Sequence, residues 1–240
     1  MSIPRFFITR ESVEGTVAYL KGKEANHAVN VLRLNTADEV ILFDGSGLKL
    51  SCIISKINKI VELEIEKKEE YKHPFELDVF IGLAKGSKMD LIVRQLTELG
   101  VASINPFISK RTIAKTSDTS KKIKRWHKIT IEAAKQSGNL ILPTINQPIK
   151  LSGIVQKITN YDKVFVFWEE TKDFPVANQF DNKLAIIIGP EGGLSQEEVS
   201  LLKDKKNVYV CSLGLTNLRM ETAAVSASAV VNWINLSGKP

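Results

Sequence analysis

Two loops late in the chain carry residue types that can hold a small ligand against the backbone. The first is Gly189-Pro190-Glu191-Gly192-Gly193-Leu194-Ser195, which follows the apolar run Leu184-Ala185-Ile186-Ile187-Ile188. Pro190 lacks a backbone donor and cannot sit in a central strand, so that strand ends near Gly189. Gly192 and Gly193 can take positive φ and let a ligand approach closely. Ser195 and Glu198 have the spacing of a capping box, so a helix starts there. The second loop lies within Cys211-Ser212-Leu213-Gly214-Leu215-Thr216-Asn217-Leu218-Arg219-Met220-Glu221-Thr222-Ala223-Ala224 and again runs from a strand, Val208-Tyr209-Val210, into a helix. Loops at the C-terminal ends of parallel strands are where open α/β sheets bind small molecules. One such loop is also compatible with a plain strand-to-helix connection. Two in one half of the chain point to neighbouring strands that open onto a common pocket.

A second chemistry is written in charge. The formal net charge of +6 lies wholly in residues 73–240, because residues 1–72 hold 11 Lys/Arg and 11 Asp/Glu. Ser109 to Lys128 contains Lys110, Arg111, Lys115, Lys121, Lys122, Lys124, Arg125 and Lys128 against Asp118 alone. A solvated helix face is the plain reading of such a run. The local imbalance, with Trp126 and a Ser/Thr-rich loop inside it, favours a polyanion-binding surface with phosphates as the partner.

The elements that must position these residues alternate in type. Short strands at Arg5–Ile8, Thr16–Leu20, Glu39–Phe43, Leu48–Ile57 and Ile60–Ile65, with one helical stretch at Glu24–Leu32, suggest a small β-barrel. Ala25, Ala28, Val29 and Leu32 share one side of that stretch. The charged, aperiodic segment Lys67–Pro74 reads as a domain boundary. Beyond it, strands at Leu77–Ile81, Ile104–Ile108, Lys163–Trp168, Lys183–Ile188 and Asn207–Val210 alternate with helices at Lys88–Leu99, Lys121–Ser137 and Leu151–Ile158, the signature of a parallel sheet. Met89, Ile92, Val93, Leu96 and Leu99 form the buried face of the first of these helices, and Gly100 caps it. A last helix, Met220–Leu236, is rich in alanine and valine and is expected to be largely buried.

Other chemistries find no support. No apolar run is long enough to span a bilayer, and the N-terminus lacks the features of a signal peptide. Cys52 and Cys211 are isolated, and His27, His73 and His127 lie far apart, so no disulfide framework or metal site is indicated. A reducing cytoplasm is the expected location. Gly82-Leu83-Ala84-Lys85-Gly86-Ser87-Lys88 lacks the GK[ST] ending of a P-loop, and no GxGxxG follows a strand.

The late loops, read together, resemble the SPOUT superfamily of RNA methyltransferases. The resemblance rests on Gly189–Ser195, Leu213-Gly214 and Leu218-Arg219-Met220-Glu221-Thr222-Ala223. Within the superfamily they are similar to ribosomal RNA small subunit methyltransferase E, a family of uridine N3-methyltransferases. Pro4-Arg5-Phe6-Phe7, His27, Val31-Leu32-Arg33, Lys88-Met89-Asp90, Thr97–Val101, Pro106, Ser109-Lys110-Arg111 and Ala133–Gly138 extend the match over nearly the whole chain. Thr216, Asn217 and Asn139 depart from the usual pattern. The resemblance implies an α/β protein. A SPOUT-type trefoil-knotted parallel-sheet domain at 73–240 would be preceded by a PUA-like, RNA-binding β-barrel at 1–72. It further implies S-adenosylmethionine as cofactor, ribosomal RNA as partner, free or within the small subunit, and a homodimer with the site near its interface.

Methyl transfer to a uridine nitrogen is an in-line displacement that needs alignment and loss of the N3 proton. The resemblance places the cofactor on Ile188, Gly189, Pro190, Glu191, Gly192, Gly193, Ser212, Leu213, Gly214, Asn217, Leu218, Thr222 and Ala223. Glu191 is alternatively a loop-shaping residue. Arg219 is the candidate to stabilise charge on the uracil carbonyls. Glu221 orients Arg219, assists the proton, or simply favours the helix N-terminus. RNA phosphates would meet Arg5, Arg10, Arg33, Lys110, Arg111, Lys121, Lys122, Lys124 and Arg125. The rival readings are a methyltransferase for another base and a non-catalytic RNA-binding homologue.

Overall fold

Apolar residues alternate in the early strands and run continuously in the late ones, and the two patterns build two different sheets. The computed structural model describes residues 3–113, 119–174 and 181–238. The chain divides into two compact units, one of Met1–Lys72 with Ile131–Leu142, the other of His73–Thr130 with Pro143–Pro240. The sequence pattern places all of 73–240 together, so Ile131–Leu142 is a difference. Its cause lies in the apolar Leu140-Ile141-Leu142. Leu142 N–H donates to the Gly45 carbonyl (2.8 Å) and Gly47 N–H to the Leu140 carbonyl (3.0 Å), so the segment lies along the turn at Asp44–Gly47.

In the first unit, β1 (Arg5–Phe7), β2 (Val13–Glu14), β3 (Val17–Leu20), β4 (Glu39–Phe43), β5 (Leu48–Ile57) and β6 (Val61–Glu70) form a six-stranded sheet in the order β1-β4-β5-β6-β3-β2. Only the β1–β4 pair is parallel. Leu50, Cys52 and Ile54 of β5 alternate into the core with Val61 and Leu63 of β6. β6 runs through Lys67–Glu70, which the charge pattern assigns to a linker. Pairing with β5 satisfies its backbone, and a Lys49–Glu69 ion pair (3.0 Å) joins the two strands. Helix α1 (Gly22–Asn26) passes into a π-turn, His27–Val31, closed by Leu32 N–H on the His27 carbonyl (2.9 Å). The extra residue in that turn rotates the rest of the stretch, so Ala25 and Ala28 are buried while Leu32 faces solvent.

The second unit is built on strands that pair only in parallel: β7 (Glu76–Gly82), β8 (Ser103–Ile108), β9 (Thr144–Ile145), β10 (Ile149–Lys150), β11 (Lys163–Phe167), β12 (Lys183–Ile188) and β13 (Val208–Cys211). Their order is β10-β8-β7-β12-β11-β13, with β9 beside β8. Both faces are covered. Ile186 and Ile188 belong to a core containing Met89, Ile92, Val93 and Leu96 of α2 (Lys88–Glu98) and Ala224, Ala227 and Val231 of α6 (Met220–Ser237). Ile187 points the other way, into a core with Ile154 of α4 (Leu151–Lys157) and Val199 and Leu202 of α5 (Gln196–Lys203). Gly100 ends α2 at φ +72°, and Leu99, expected in the buried face, is only half-buried within that cap. The α3 helix (Thr119–Ser137) buries Trp126, Thr130 and Ala133.

One expectation fails for α6. The helix buries Met220, Ala224, Ala227 and Val231, but Trp233 is 71% exposed and Val230 and Leu236 also face solvent. Alanine and valine content does not distinguish a buried helix from one with an uncovered apolar face. Among the described residues, no helix is long and apolar enough to cross a membrane. Ile187 is fully buried at the centre of the sheet. Replacing it by alanine should lower unfolding free energy by about 2–5 kcal/mol, read from the shift in denaturant midpoint.

Candidate functional site

Register brings the late loops together. Phe167 of β11 is level with Ile188 of β12 and with Cys211 of β13, so three parallel strands end side by side. The loops that leave them, with Lys88 at the start of α2, line a cleft of about 760 Å³. That is the size of a small-molecule site. Of the residues proposed to hold a cofactor, Ile188, Gly189, Pro190, Glu191, Gly193, Ser212, Leu213, Gly214, Asn217, Leu218 and Ala223 line this cleft, as do Arg219 and Glu221. Gly192 and Thr222 do not.

Close backbone contacts shape the first loop. A Cβ on Gly82, the last residue of β7, would overlap the backbone of Pro190, coming within 2.6 Å of its Cα. Gly193 N–H closes a turn on the Pro190 carbonyl (2.8 Å) with Gly193 at φ +71°. Positive φ is expected at Gly192 as well, but it does not adopt it. A Cβ on Gly192 would instead face Arg111 Cβ at 3.1 Å. Arg111 Nη1 donates to the Gly192 carbonyl (3.1 Å) and, at 3.5 Å, to that of Leu194. This arginine braces the loop from outside the cleft. The capping box is present, and the buried Glu198 does a second job. Its Oε2 accepts from Ser195 N–H (2.9 Å) and its Oε1 from Lys110 N–H (2.8 Å), tying the turn after β8 to the start of α5.

Charge in the cleft is balanced but unevenly paired. Lys88, Lys172 and Arg219 line it with Glu169, Glu191 and Glu221. Glu191 Oε1 lies 3.2 Å from Lys88 Nζ. Partial burial alone would raise its pKa. Backbone hydrogen bonds and the Lys88 ammonium outweigh that and hold the carboxyl below its ordinary value. Arg219 is exposed at the N-cap of α6, and among the described residues no ion pair joins it to Glu221. Glu221 Oε2 and Trp168 Nε1 are buried polar atoms without a hydrogen-bond partner, both on side chains of this cleft. The nearby Cys211 thiol is pushed up to about 11, by burial first and then by the Asp173 carboxylate, so it stays protonated.

The basic candidates differ in their surroundings. Arg125 pairs with Asp90, whose other oxygen accepts from Trp126 Nε1 (3.1 Å). Arg10 pairs with Asp44 (3.0 Å), Arg5 lies against Gly138, and Lys110 Nζ is 3.6 Å from Glu197. Lys121 and Lys124 are exposed on α3, Lys122 is half-buried there, and Arg33 is exposed with φ +56°. Lys115 lies outside the described residues. Sequence reasoning missed the third wall, where Phe167, Trp168, Glu169, Thr171, Lys172 and Phe174 extend from the end of β11, and it missed Lys88. The signal was present as the polar run Glu169–Asp173 directly after a predicted parallel strand.

Residues 71–232 match an RNA methyltransferase domain, and residues 20–66 match the RNA methyltransferase PUA domain. Ribosomal RNA small subunit methyltransferase E of Bacillus subtilis (strain 168) is 32% identical over 246 residues, spanning 95% of this chain and 96% of its own. Its counterpart in Rickettsia conorii is 31% identical, spanning 98% and 97%. The chain belongs to the ribosomal RNA small subunit methyltransferase E family. The crystal structure of a family member from Neisseria gonorrhoeae, bound to S-adenosyl methionine, matches with a TM-score of 0.86 at 26% identity, covering 97% of this chain and 98% of that one. Within this family member, the Gly82–Pro190 contact leaves no room for even a methyl group. Gly82→Ala should destabilise the protein by about 1–3 kcal/mol through overpacking, measured as a lowered denaturant midpoint.

Proposed function

We propose that this chain is an S-adenosylmethionine-dependent methyltransferase that methylates N3 of a uridine in small-subunit ribosomal RNA. The observation that carries the reading is the cleft at the three level strand ends in a member of this family. Its residues fit the cofactor. Phe167, Ile188, Leu213, Leu218 and Ala223 offer an apolar wall for adenosine, and the glycines admit it to the backbone. The orphaned Trp168 Nε1 donor suits an acceptor on the ligand, and the orphaned Glu221 oxygen with the other carboxylates suits donors and positive charge.

When bound, S-adenosylmethionine supplies a methyl group on a positively charged sulfur. The chain must align uridine N3 with it and manage charge on the base. Arg219 stands at the rim with its guanidinium uncommitted to Glu221, ready to face the carbonyl oxygens as the N3 proton leaves. Glu221, in the first turn of α6, is placed to accept a proton or a hydrogen bond at Oε2. RNA phosphates lie on Lys121, Lys122 and Lys124, joined by Lys110, Arg111 and Arg125 and by Arg5, Arg10 and Arg33. The finer architecture that goes with this reading has a trefoil knot in the late loops of residues 73–240. Residues 1–72 close as a PUA-like barrel, which the PUA match supports. The enzyme works in the cytoplasm, where its substrate is assembled.

A homodimer completes the reading, with the exposed stripe of Val230, Trp233 and Leu236 on α6 as its apolar contact. Trp233→Asp should yield monomers at micromolar concentration in sedimentation. An unchanged dimer would move the interface elsewhere.

The direct test incubates the protein and labelled cofactor with small-subunit ribosomal RNA or subunits and analyses the nucleosides. N3-methyluridine is the expected product. Another methylated base would overturn the substrate, and cofactor binding without methylation would indicate a binding homologue. Arg219→Lys keeps charge but loses the planar fork. Single-turnover rates with both ligands saturating should fall by about a hundredfold, while both affinities change little.

A further inference from the structure

Gly193 raises a question that its backbone conformation does not answer. Its φ of +71° already favours glycine, yet the space where a Cβ would stand is also filled, by Glu169 Oε1. Glu169 is an exposed residue at the start of the loop after β11, with water freely available to its carboxylate. It makes no ion pair or hydrogen bond with any described residue, but lies on the glycine at the wall of the cleft. The other two cleft carboxylates are placed differently. Glu191 is paired with Lys88, and Glu221 is held in the first turn of α6 with one oxygen buried. Glu169 is the carboxylate of the three that is both accessible and, among the described residues, without a cation.

We propose that Glu169 binds the α-ammonium group at the amino-acid end of S-adenosylmethionine, with Gly193 kept bare so that the carboxylate can lie in the cleft. This rests on the proposed cofactor. That molecule carries two fixed positive groups, a sulfonium and an ammonium. A sulfonium has no proton to donate, whereas an ammonium has three and forms short charge-assisted hydrogen bonds with a carboxylate. An accessible carboxylate with free lone pairs therefore matches the ammonium. Adenosine occupies the apolar part of the cleft, so recognition of the amino-acid end falls to the polar wall contributed by the loop after β11.

Calorimetry on wild type and Glu169→Gln with three ligands tests this. S-adenosylmethionine carries both positive groups, S-adenosylhomocysteine keeps only the ammonium, and 5′-methylthioadenosine has neither. The variant is isosteric and on the surface, and a thermal melt checks that it is folded. Affinity for the first two ligands should fall by about ten- to hundredfold, the scale of one charged hydrogen bond. Affinity for 5′-methylthioadenosine should stay within about twofold, since its amino-acid end is missing. Loss for S-adenosylmethionine alone would place Glu169 at the sulfonium and overturn the assignment. Equal loss for all three would reduce Glu169 to a residue that shapes the cleft, and no loss would remove it from the site. Wild-type protein that binds none of the three would overturn the cofactor reading and this inference with it.

Discussion

The cleft depends on one place where two backbones meet without a side chain between them. β7 and β12 run in parallel with Ile81 level with Ile188, so the next residues in line are Gly82 and Gly189. Pro190 then crosses directly over Gly82. Proline can make this crossing because it has no N–H to leave unsatisfied, and glycine can receive it because it has no Cβ. The crossing turns the loop over the end of β7, toward the start of α2. Glu191 consequently meets Lys88, and the loop returns through the Gly193 turn into the cap of α5. The apolar cores beneath hold the strands in register, so the loop starts from a fixed edge.

Much of this was legible because the relevant signals are local. The Ile186–Ile188 run, Pro190 and the Ser195–Glu198 spacing each report on their own neighbourhood, and the strand and helix they delimit appear within a residue or two of their expected places. The misses come from contacts between residues distant in sequence. Gly192 looks like a ligand contact, but what it accommodates is Arg111, 81 residues away. Lys67–Glu70 looks like a linker because charge has no period, yet pairing with β5 makes it strand. The π-turn at His27–Val31 changes the phase of a helical stretch whose spacing reads as 3.6. The wall after β11 carries no glycine motif. It joins the site only because Phe167 is level with Ile188 and Cys211.

Two arginines of the basic stretch have a structural role in the fold. Arg111 and Arg125 use directional donors on carbonyls and a carboxylate of their own unit, as a planar fork allows. Lys121 and Lys124 project from α3 on long exposed stems. On the proposed function, the lysines supply screened, adjustable charge for a phosphate backbone, and the two arginines add theirs while also fixing the shape on which that charge is displayed. A count of basic residues could not distinguish these tasks, since it treats every cation as equivalent.

The last helix links the site to the proposed dimer. Along its buried side, Ala224, Ala227 and Val231 pack into the core, and its far end is tied by hydrogen bonds. Asn232 donates to the Leu99 carbonyl (2.9 Å), and Asn235 exchanges two hydrogen bonds with the Asp181 backbone. At its near end Met220 is buried, but Arg219 has no side-chain capping bond and Glu221 keeps an unpartnered oxygen. The helix is therefore anchored most firmly away from the residues assigned to chemistry. Transition-state stabilisation by a guanidinium requires that it be held in place beforehand. Cover over the apolar stripe of Val230, Trp233 and Leu236 would restrict the same helix from its open side. On this reading, dimer formation and positioning of Arg219 are two aspects of a single packing event.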